Sequence, residues 1–427
     1  MLKKLLIIII INIMFSEDRS FPDFNIIVND NPYPSNLFIH LMSSGSDRYM
    51  AILDSNLSEK WYVNSGPMGL DFKVNNDHLT YFHKQGTYFI ILNEIMNEVD
   101  TISCLNHPTD YHDMRLLNNG NYILQAYDSL GVDMSQIVDN GHPEAIILSQ
   151  LIIQEFNQNH ELLFEWEAWD HLNISEYTNL NLTQQQITWM HGNSIEIDFD
   201  ENLILSNRRS SEILKINRNS GNVIWRFGGP QNEFTIINDP LNGFTKQHDV
   251  RRLENGNLMI FDNGNEHDTP ISRVLEYEID EINKTATLIW EYTHPQNYCG
   301  VAMGSAQRLI NGNTLINWGT LMGEITGAVI TEVDYEKNIL LELHFPTHNN
   351  YKVRKDEWDF EISLLVGDSN LDNLINILDI IYLSNEILFN QRPLNMLSLF
   401  KLDLDKNGEL NILDITNMVA IIMSTEI

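Results

Sequence analysis

The segment HDVRRLENGNLMIFDNG at 248–264 repeats the His-Asp, the arginine and the Asn-Gly-Asn of HDMRLLNNGNYIL at 112–124, offset for offset. The same strand–turn–strand signal returns at LDFKVNNDHLTYF (70–82), HGNSIEIDFDENLIL (191–205) and GSAQRLINGNTLIN (304–317). Each alternates polar and apolar residues, turns on Asn-Gly or Asp/Asn, and resumes with β-branched and aliphatic residues. That is the pattern of a hairpin whose turn residues tolerate positive φ. A chain that returns to one hairpin at this spacing is constrained to a repeat architecture.

A second hairpin follows each first one: AILDSNLSEKWYV (51–63), QEFNQNHELLFEW (154–166), LKINRNSGNVIWRF (214–227), LEYEIDEINKTATLIWEY (275–292) and TEVDYEKNILLELHF (331–345). Trp61, Trp166, Trp225 and Trp290 hold one position in this unit, which is expected of core packing between neighbouring sheets. Two hairpins per unit make a four-stranded antiparallel blade, and six units fit between about 33 and 350, at roughly the blade length of known propellers. A seventh fits only if 20–45 holds a strand pair. Longer insertions are expected around 130–155 and 167–190. The fold class predicted is all-β, a six-bladed β-propeller, followed by a small α-helical calcium-binding domain whose motifs are taken up below.

A hydrophobic content of 43% is that of a globular chain, and a net charge of −33 disfavours nucleic acid and anionic membrane surfaces as partners. The N-terminus MLKKLLIIIIINIMFSEDRS has two lysines, a short apolar run and then polar residues. This is the layout of a secretory signal peptide, expected over 1–16, and no other stretch reads as a membrane span. The rest is therefore expected to be secreted, extracellular or periplasmic. Cys104 and Cys299 are the only cysteines, and their separation leaves pairing undecided.

In a propeller the innermost strands line a central channel, so equal offsets in different blades converge in space. His112, His191 and His248 share such an offset, whereas the sixth unit has Gly304-Ser305 there; the histidine is thus not required by the fold. Three imidazoles at one mouth can hold a zinc ion, form a nucleophile-and-acid set, or cradle an anion. The cationic neighbours favour the anion. Of thirteen arginines, eight lie between 208 and 308, and guanidinium geometry suits tetrahedral oxyanions. Most of the eight are expected on exposed strand faces; Arg273, after the insertion DNGNEHDTP, is expected to lean over the channel.

The run HDVRRLENGNLMIFDNG, ISRVLEYEID, ATLIWEYTHP and GSAQRLINGNTLINWG resembles the bacterial arylsulfotransferase family, over a span from about 29 to about 350. The resemblance implies a six-bladed propeller that moves a sulfuryl group from an aryl sulfate to a phenol through a sulfated histidine, with no nucleotide sulfate donor. Matched motif by motif, His191, His248 and Arg273 correspond to sulfate-binding residues. In the well-studied branch the nucleophilic histidine follows the segment equivalent to NTLINWG. Here that region reads TLMGEIT, with Gly323 near the expected place. His112, His171 and His248 are the remaining candidates for nucleophile.

The tail carries DSNLDNLINILD (368–379) and DLDKNGELNILD (403–414), two copies of one acidic loop. Oxygen ligands are expected from Asp368, Asn370, Asp372, the Leu374 carbonyl, Asn376 and Asp379. In the second loop they are expected from Asp403, Asp405, Asn407, the Glu409 carbonyl, Asn411 and Asp414. Hard oxygen ligands at this spacing point to EF-hand-like calcium binding, with a tight turn at Gly408 or Asn373. Each loop runs into an apolar helix, and the pair resembles a type I dockerin module, which implies a cohesin-like or cell-surface partner. The expected organisation is a signal peptide (1–16), a propeller (17–350), a linker (351–366) and a dockerin-like domain (367–427). The alternative to an arylsulfotransferase-like enzyme is a non-catalytic propeller that binds an anionic ligand or a protein.

Overall fold

Six antiparallel-built sheets follow one another around a central channel. The computed structural model describes residues 21–358, 366–370, 374–389 and 400–425, apart from 44, 46, 47, 67 and 95. The signal peptide expected over 1–16, together with Asp372 and Asn373, lies outside the described residues. The chain divides into two compact units, one over 22–362 and one that takes in 363–427.

The first unit is the propeller. Its innermost strands, blades one to six, are Asn349–Asp356, Met68–Asn75, Arg115–Leu116, Gly192–Ile197, His248–Arg252 and Ser305–Arg308. Both ends of the unit close the ring. Asn25–Asn29 pairs with Ile339–Phe345 at the outer edge of blade six, and Asn349–Asp356 pairs with Asn36–Met42 as the inner strand of blade one. The linker expected over 351–366 therefore begins inside the propeller and needs correction. YKVRKD supplies alternating apolar and charged residues to a strand that the repeat pattern, ending at 350, had left out. No strand pair for a seventh blade exists among the described residues, because 25–29 and 36–42 join blades six and one.

Trp61, Trp166, Trp225 and Trp290 are all buried on the fourth strands of their blades, counted from the channel, as their shared offset predicted. The insertion at 130–155 is a long hairpin, Tyr122–Val132 with Ala145–Phe156. The one at 167–190 packs its apolar residues, Leu172, Ile174, Tyr177 and Trp189, into the core between blades three and four.

The second copy of the repeated motif, at 248, has a backbone cause that two other blades share. Three inner strands break register at the same place: Leu70 pairs with Phe82 and Lys73 with Thr80; His248 with Phe261 and Arg251 with Met259; Asn350 with Leu41 and Val353 with Ile39. Each break sets two residues against one, which is a β-bulge that re-aims consecutive side chains. Asp71 and Asp249 hold φ of +53° and +54° within their bulges, a conformation that aspartate tolerates better than most residues. The bulge lets His248 and Asp249, neighbours in sequence, both face the channel.

The second unit is a pair of helices, Ile377–Phe389 and Ile412–Thr425, each following one acidic loop. Leu383, Leu402 and Met418 form its buried core.

Candidate functional site

Residues at or near the start of the inner strands gather at one mouth of the channel. Leu70, His112, His191, His248 and Tyr351 line a cavity of about 260 Å³, with Tyr111, Met42, Met303, Arg48, Lys84 and Arg208 completing its wall. The His112 and His191 ring centroids are 4.7 Å apart and those of His191 and His248 6.4 Å apart, both pairs edge to face. Three imidazoles from blades three, four and five thus share one space.

Each ring is held differently. His112 Nδ1 lies 2.6 Å from Asp110 Oδ1, which also accepts from the His112 backbone N–H at 2.9 Å and from Gln125 Nε2 at 2.8 Å. A carboxylate only accepts, so the network assigns the proton to Nδ1 and leaves Nε2 for the cavity. The His112 carbonyl in turn accepts from Lys352 Nζ at 2.6 Å and Tyr351 OH at 3.1 Å. His248 Nδ1 lies 2.5 Å from Asn263 Oδ1. The orientation of that amide is fixed, because Asn263 Nδ2 donates to the carbonyls of Gly300 at 2.9 Å and Met303 at 3.0 Å. Asn263 Oδ1 must therefore accept, His248 Nδ1 carries the proton, and Nε2 keeps its lone pair. Burial, reinforced by the charge of Arg208, holds His248 well below the usual histidine range. Burial likewise draws His191 down to about 3, with His112 and Arg208 adding to the effect. Two of the three rings are neutral bases at neutral pH.

Arg208 brings the positive charge. It follows the second strand of blade four, as Asn263 follows that of blade five. Its Nη2 donates to the Val301 carbonyl at 2.7 Å and to Asn265 Oδ1 at 3.2 Å, while its Nε is buried with no partner. A guanidinium with an unfilled donor beside two neutral imidazoles can receive an oxyanion.

Two expected residues do not join the cavity. Arg273 is buried in ion pairs with Asp239 at 2.9 Å, Asp262 at 3.1 Å and Glu291 at 3.3 Å, and it donates to the Gly243 carbonyl at 2.7 Å. Its fork is filled by the carboxylates of its own blade, so it braces the 239–243 segment that precedes blade five's inner strand rather than leaning over the channel. His171 sits at the outer edge of blade three, stacked on Trp166 at 5.6 Å, with blade four's Gly221 packed against it. The helical turn Ala168–His171 carries it away from the channel. Gly323 is exposed on an open turn. The arginines expected to be exposed are mostly half-buried and ion-paired, Arg251, Arg252 and Arg308 among them, and Arg226 is buried. Cys104 and Cys299 are both free and buried. Sequence reasoning missed Arg208, Asn263 and Asp110. The shared offset of Arg208 and Asn263 at the ends of second strands was the signal available.

These features meet a comparison of the whole span. The family described as Arylsulfotransferase (ASST) matches residues 23–354. The chain belongs to the arylsulfotransferase family. That match ends within the closing strand Asn349–Asp356, so the arylsulfotransferase domain and the propeller nearly coincide. No curated protein matches the chain. Among solved structures, a protein of unknown function from Bacteroides caccae is 12% identical with a TM-score of 0.45, over 75% of this chain and 98% of that one. The β-propeller domain of Cps50 from Myceliophteria thermophila is 8% identical with a TM-score of 0.43, over 76% and 90%. Virginiamycin B lyase from Staphylococcus aureus is 10% identical with a TM-score of 0.37, over 74% and 87%.

In the second unit, Asp403, Asp405 and Asp414 bring carboxylate oxygens within 4.8 Å of one another, the one such three-residue ligand group among the described residues. Among the described residues, the three imidazoles of the propeller form no such group. Burial and the neighbouring carboxylates push Asp403 up to about 7, as crowding of like charges does. Gly408 makes the tight turn at φ +86°. The first loop repeats the frame. Asp379 accepts from Ser369, Asn370 and Asn376 backbone N–H groups, as Asp414 does from Leu404, Asp405 and Asn411. Asn376 and Asn411 direct Oδ1 to the N–H groups of Leu378 and Leu413, both at 2.8 Å, and so act as helix N-caps.

Proposed function

We propose that the protein transfers a sulfuryl group from an aryl sulfate to a phenol, through His248. Nucleophilic catalysis requires an unprotonated, positioned lone pair, and the Asn263 contact to His248 Nδ1, with that amide locked by two carbonyls, is the observation that carries the reading. In the first half-reaction the N–S bond forms at His248 Nε2 as the S–O bond to the aryl group breaks. The departing phenolate takes a proton from His112 Nε2, the ring being held through Nδ1 by Asp110. In the second, His112 accepts the proton of the incoming phenol. That oxygen attacks sulfur, the N–S bond breaks, and His248 returns to its neutral state. Arg208 and His191 face the sulfuryl oxygens, where charge accumulates in a loose transition state. Met42, Leu70, Met303 and Tyr111 offer the apolar wall an aryl ring needs. The scheme takes the role of the missing last-blade histidine and gives it to a residue already in the cavity; no nucleotide sulfate enters it.

We further propose that the chain is exported and that both acidic loops take calcium. Asp403, Asp405 and Asp414 would hold one ion, and Asp368, Asn370, Asp372 and Asp379 the other. The ion would supply charge compensation that fixes each loop against its helix. The module would then tether the enzyme to a cohesin-like or cell-surface partner.

The test is incubation with 4-nitrophenyl sulfate and no acceptor, followed by intact-mass measurement. The expected result is a gain of one SO₃ with stoichiometric nitrophenol release, abolished in His248→Asn and discharged by added phenol. Nitrophenol release unchanged in His248→Asn would overturn the role of that residue. Binding of the ester without any release would leave the anion-binding alternative.

A further inference from the structure

The channel has a second mouth. Three residues beyond the cavity-lining Leu70, His112, His248 and Tyr351 come Lys73, Arg115, Arg251 and Arg354. With Arg252 and Arg308 they line a cavity of about 220 Å³, in which Asp356 is the one acidic lining residue. Between the two mouths, Asp71, Asp113 and Asp249 are fully buried and bridged to these cations, and the two cavities share no lining residue. Six cations therefore line one pocket, and the carboxylates that pair with them are not among its lining residues.

The cations retain donors. Arg115 uses only Nη2, toward Glu196 at 2.9 Å. Arg252 pairs with Asp198, and its Nε is buried with no partner although its side chain is only 7% exposed. The pocket is continuous with a groove of about 590 Å³ between blades five and six, the two sharing Arg252, Leu253 and Arg308. That groove is apolar along Leu253, Ile289, Leu309, Ile310 and Tyr335. Ile310 is 86% exposed. Arg308 forms the join, stacked 4.7 Å from the Trp290 ring and 5.3 Å from that of Tyr335.

We infer that this mouth binds an amphipathic organic anion, its carboxylate or phosphate head among Arg115, Arg252 and Arg354 and its apolar body along the blade five–six groove. The site is separate from the histidine cavity and does not depend on the reaction proposed there. Asp356 gates it. Its carboxylate has no hydrogen-bond or ion-pair partner among the described residues, and burial pushes it up to about 7 despite Arg354 and Lys73, with Glu357 adding repulsion. The other carboxylates facing the pocket's cations from its rim, Glu196, Asp198, Glu276 and Glu281, are each ion-paired, and Glu254 lines the adjoining groove. As pH falls through the Asp356 value, that residue loses its charge and the pocket becomes more positive, so the anion binds more tightly.

Calorimetric titration of the full chain with acetate, octanoate and octyl phosphate tests this. Octanoate is expected to bind at least tenfold more tightly than acetate, and several-fold more tightly at pH 6 than at pH 8. Arg115→Gln should weaken it at least tenfold; Ile310→Ser should erase the advantage over acetate; Asp356→Asn should remove the pH dependence. Arg208→Gln should change nothing. Whichever of octanoate and octyl phosphate binds better identifies the head group. Loss of binding in Arg208→Gln but not in Arg115→Gln would assign the anion to the histidine cavity and overturn the inference, as would equal affinity for acetate and octanoate.

Discussion

At the scale of single residues, the chemistry rests on which ring nitrogen carries a proton. Asn263 decides it for His248. Replacing Asn263 with leucine removes the acceptor, lets the other tautomer form, and should slow sulfo-enzyme formation roughly a hundredfold, the low end for a positioned proton-bearing group. Single-turnover nitrophenol release measures this, and an unchanged rate would mean the tautomer is set elsewhere. Buried neutral histidines also have a stability cost. His40 and His191 are held near about 3 by burial, and His40 has neither ring nitrogen hydrogen-bonded. Their folded values lie below the unfolded one, so the unfolded chain binds the protons first. Stability is then lost as pH falls from about 6.5 toward about 3, by about 1.4 kcal/mol per pH unit for each group. Urea unfolding at stepped pH should show the slope, and His40→Leu should reduce it by one proton. The histidine offset was legible because a repeat fixes position regardless of residue type. Arg208 was not, since no other blade has arginine at its offset and Asn263, its counterpart, is a different chemical group.

Elements explain what the motif meant. His248-Asp249 marks a bulge, in which the first residue faces the cavity and the second drops into the channel beneath. Sequence alternation predicts one face or the other for neighbours and cannot announce that both point inward. The closing strand was hidden for a different reason. Asn349–Asp356 has no hairpin partner beside it in sequence, because it pairs across the ring with Asn36–Met42. Truncation after residue 362 should leave a cooperative propeller, whereas truncation after 348 should leave no folded propeller, since blade one loses its inner strand and the ring its closure. Circular dichroism melts of the two truncations distinguish these outcomes. The acidic loops were the most legible elements, being short, local and duplicated. Chelation should abolish helical signal from the tail while leaving the β-sheet melt unchanged, because metal binding and folding are coupled in small ion-dependent modules.

For the molecule as a whole, the propeller's axis is a stack of three layers: imidazoles above, carboxylates in the middle, guanidinium and ammonium groups below. The middle layer holds the blades together across the channel. Asp249 of blade five pairs with Arg251 at 2.7 Å and with blade one's Arg354 at 2.6 Å, and accepts from the blade six Ala306 N–H at 3.2 Å. Asp113 of blade three reaches Lys73 of blade two at 2.5 Å and Arg251 at 2.9 Å. These carboxylates are held well below their usual range although burial opposes it, Arg251 being the largest opposing influence on each. Their contribution to stability is therefore present above about pH 3.9 and is lost only as pH falls below it. Removing one partner of such a pair leaves charges buried without compensation, at a cost of about 3–5 kcal/mol. Asp249→Ala should lose about that much in urea unfolding. Asp249→Ala combined with Arg354→Met should recover part of it, because the second change removes a stranded charge. If the double variant is as unstable as the sum of the two single ones, the layer is a set of independent pairs and does not couple blades five, six and one.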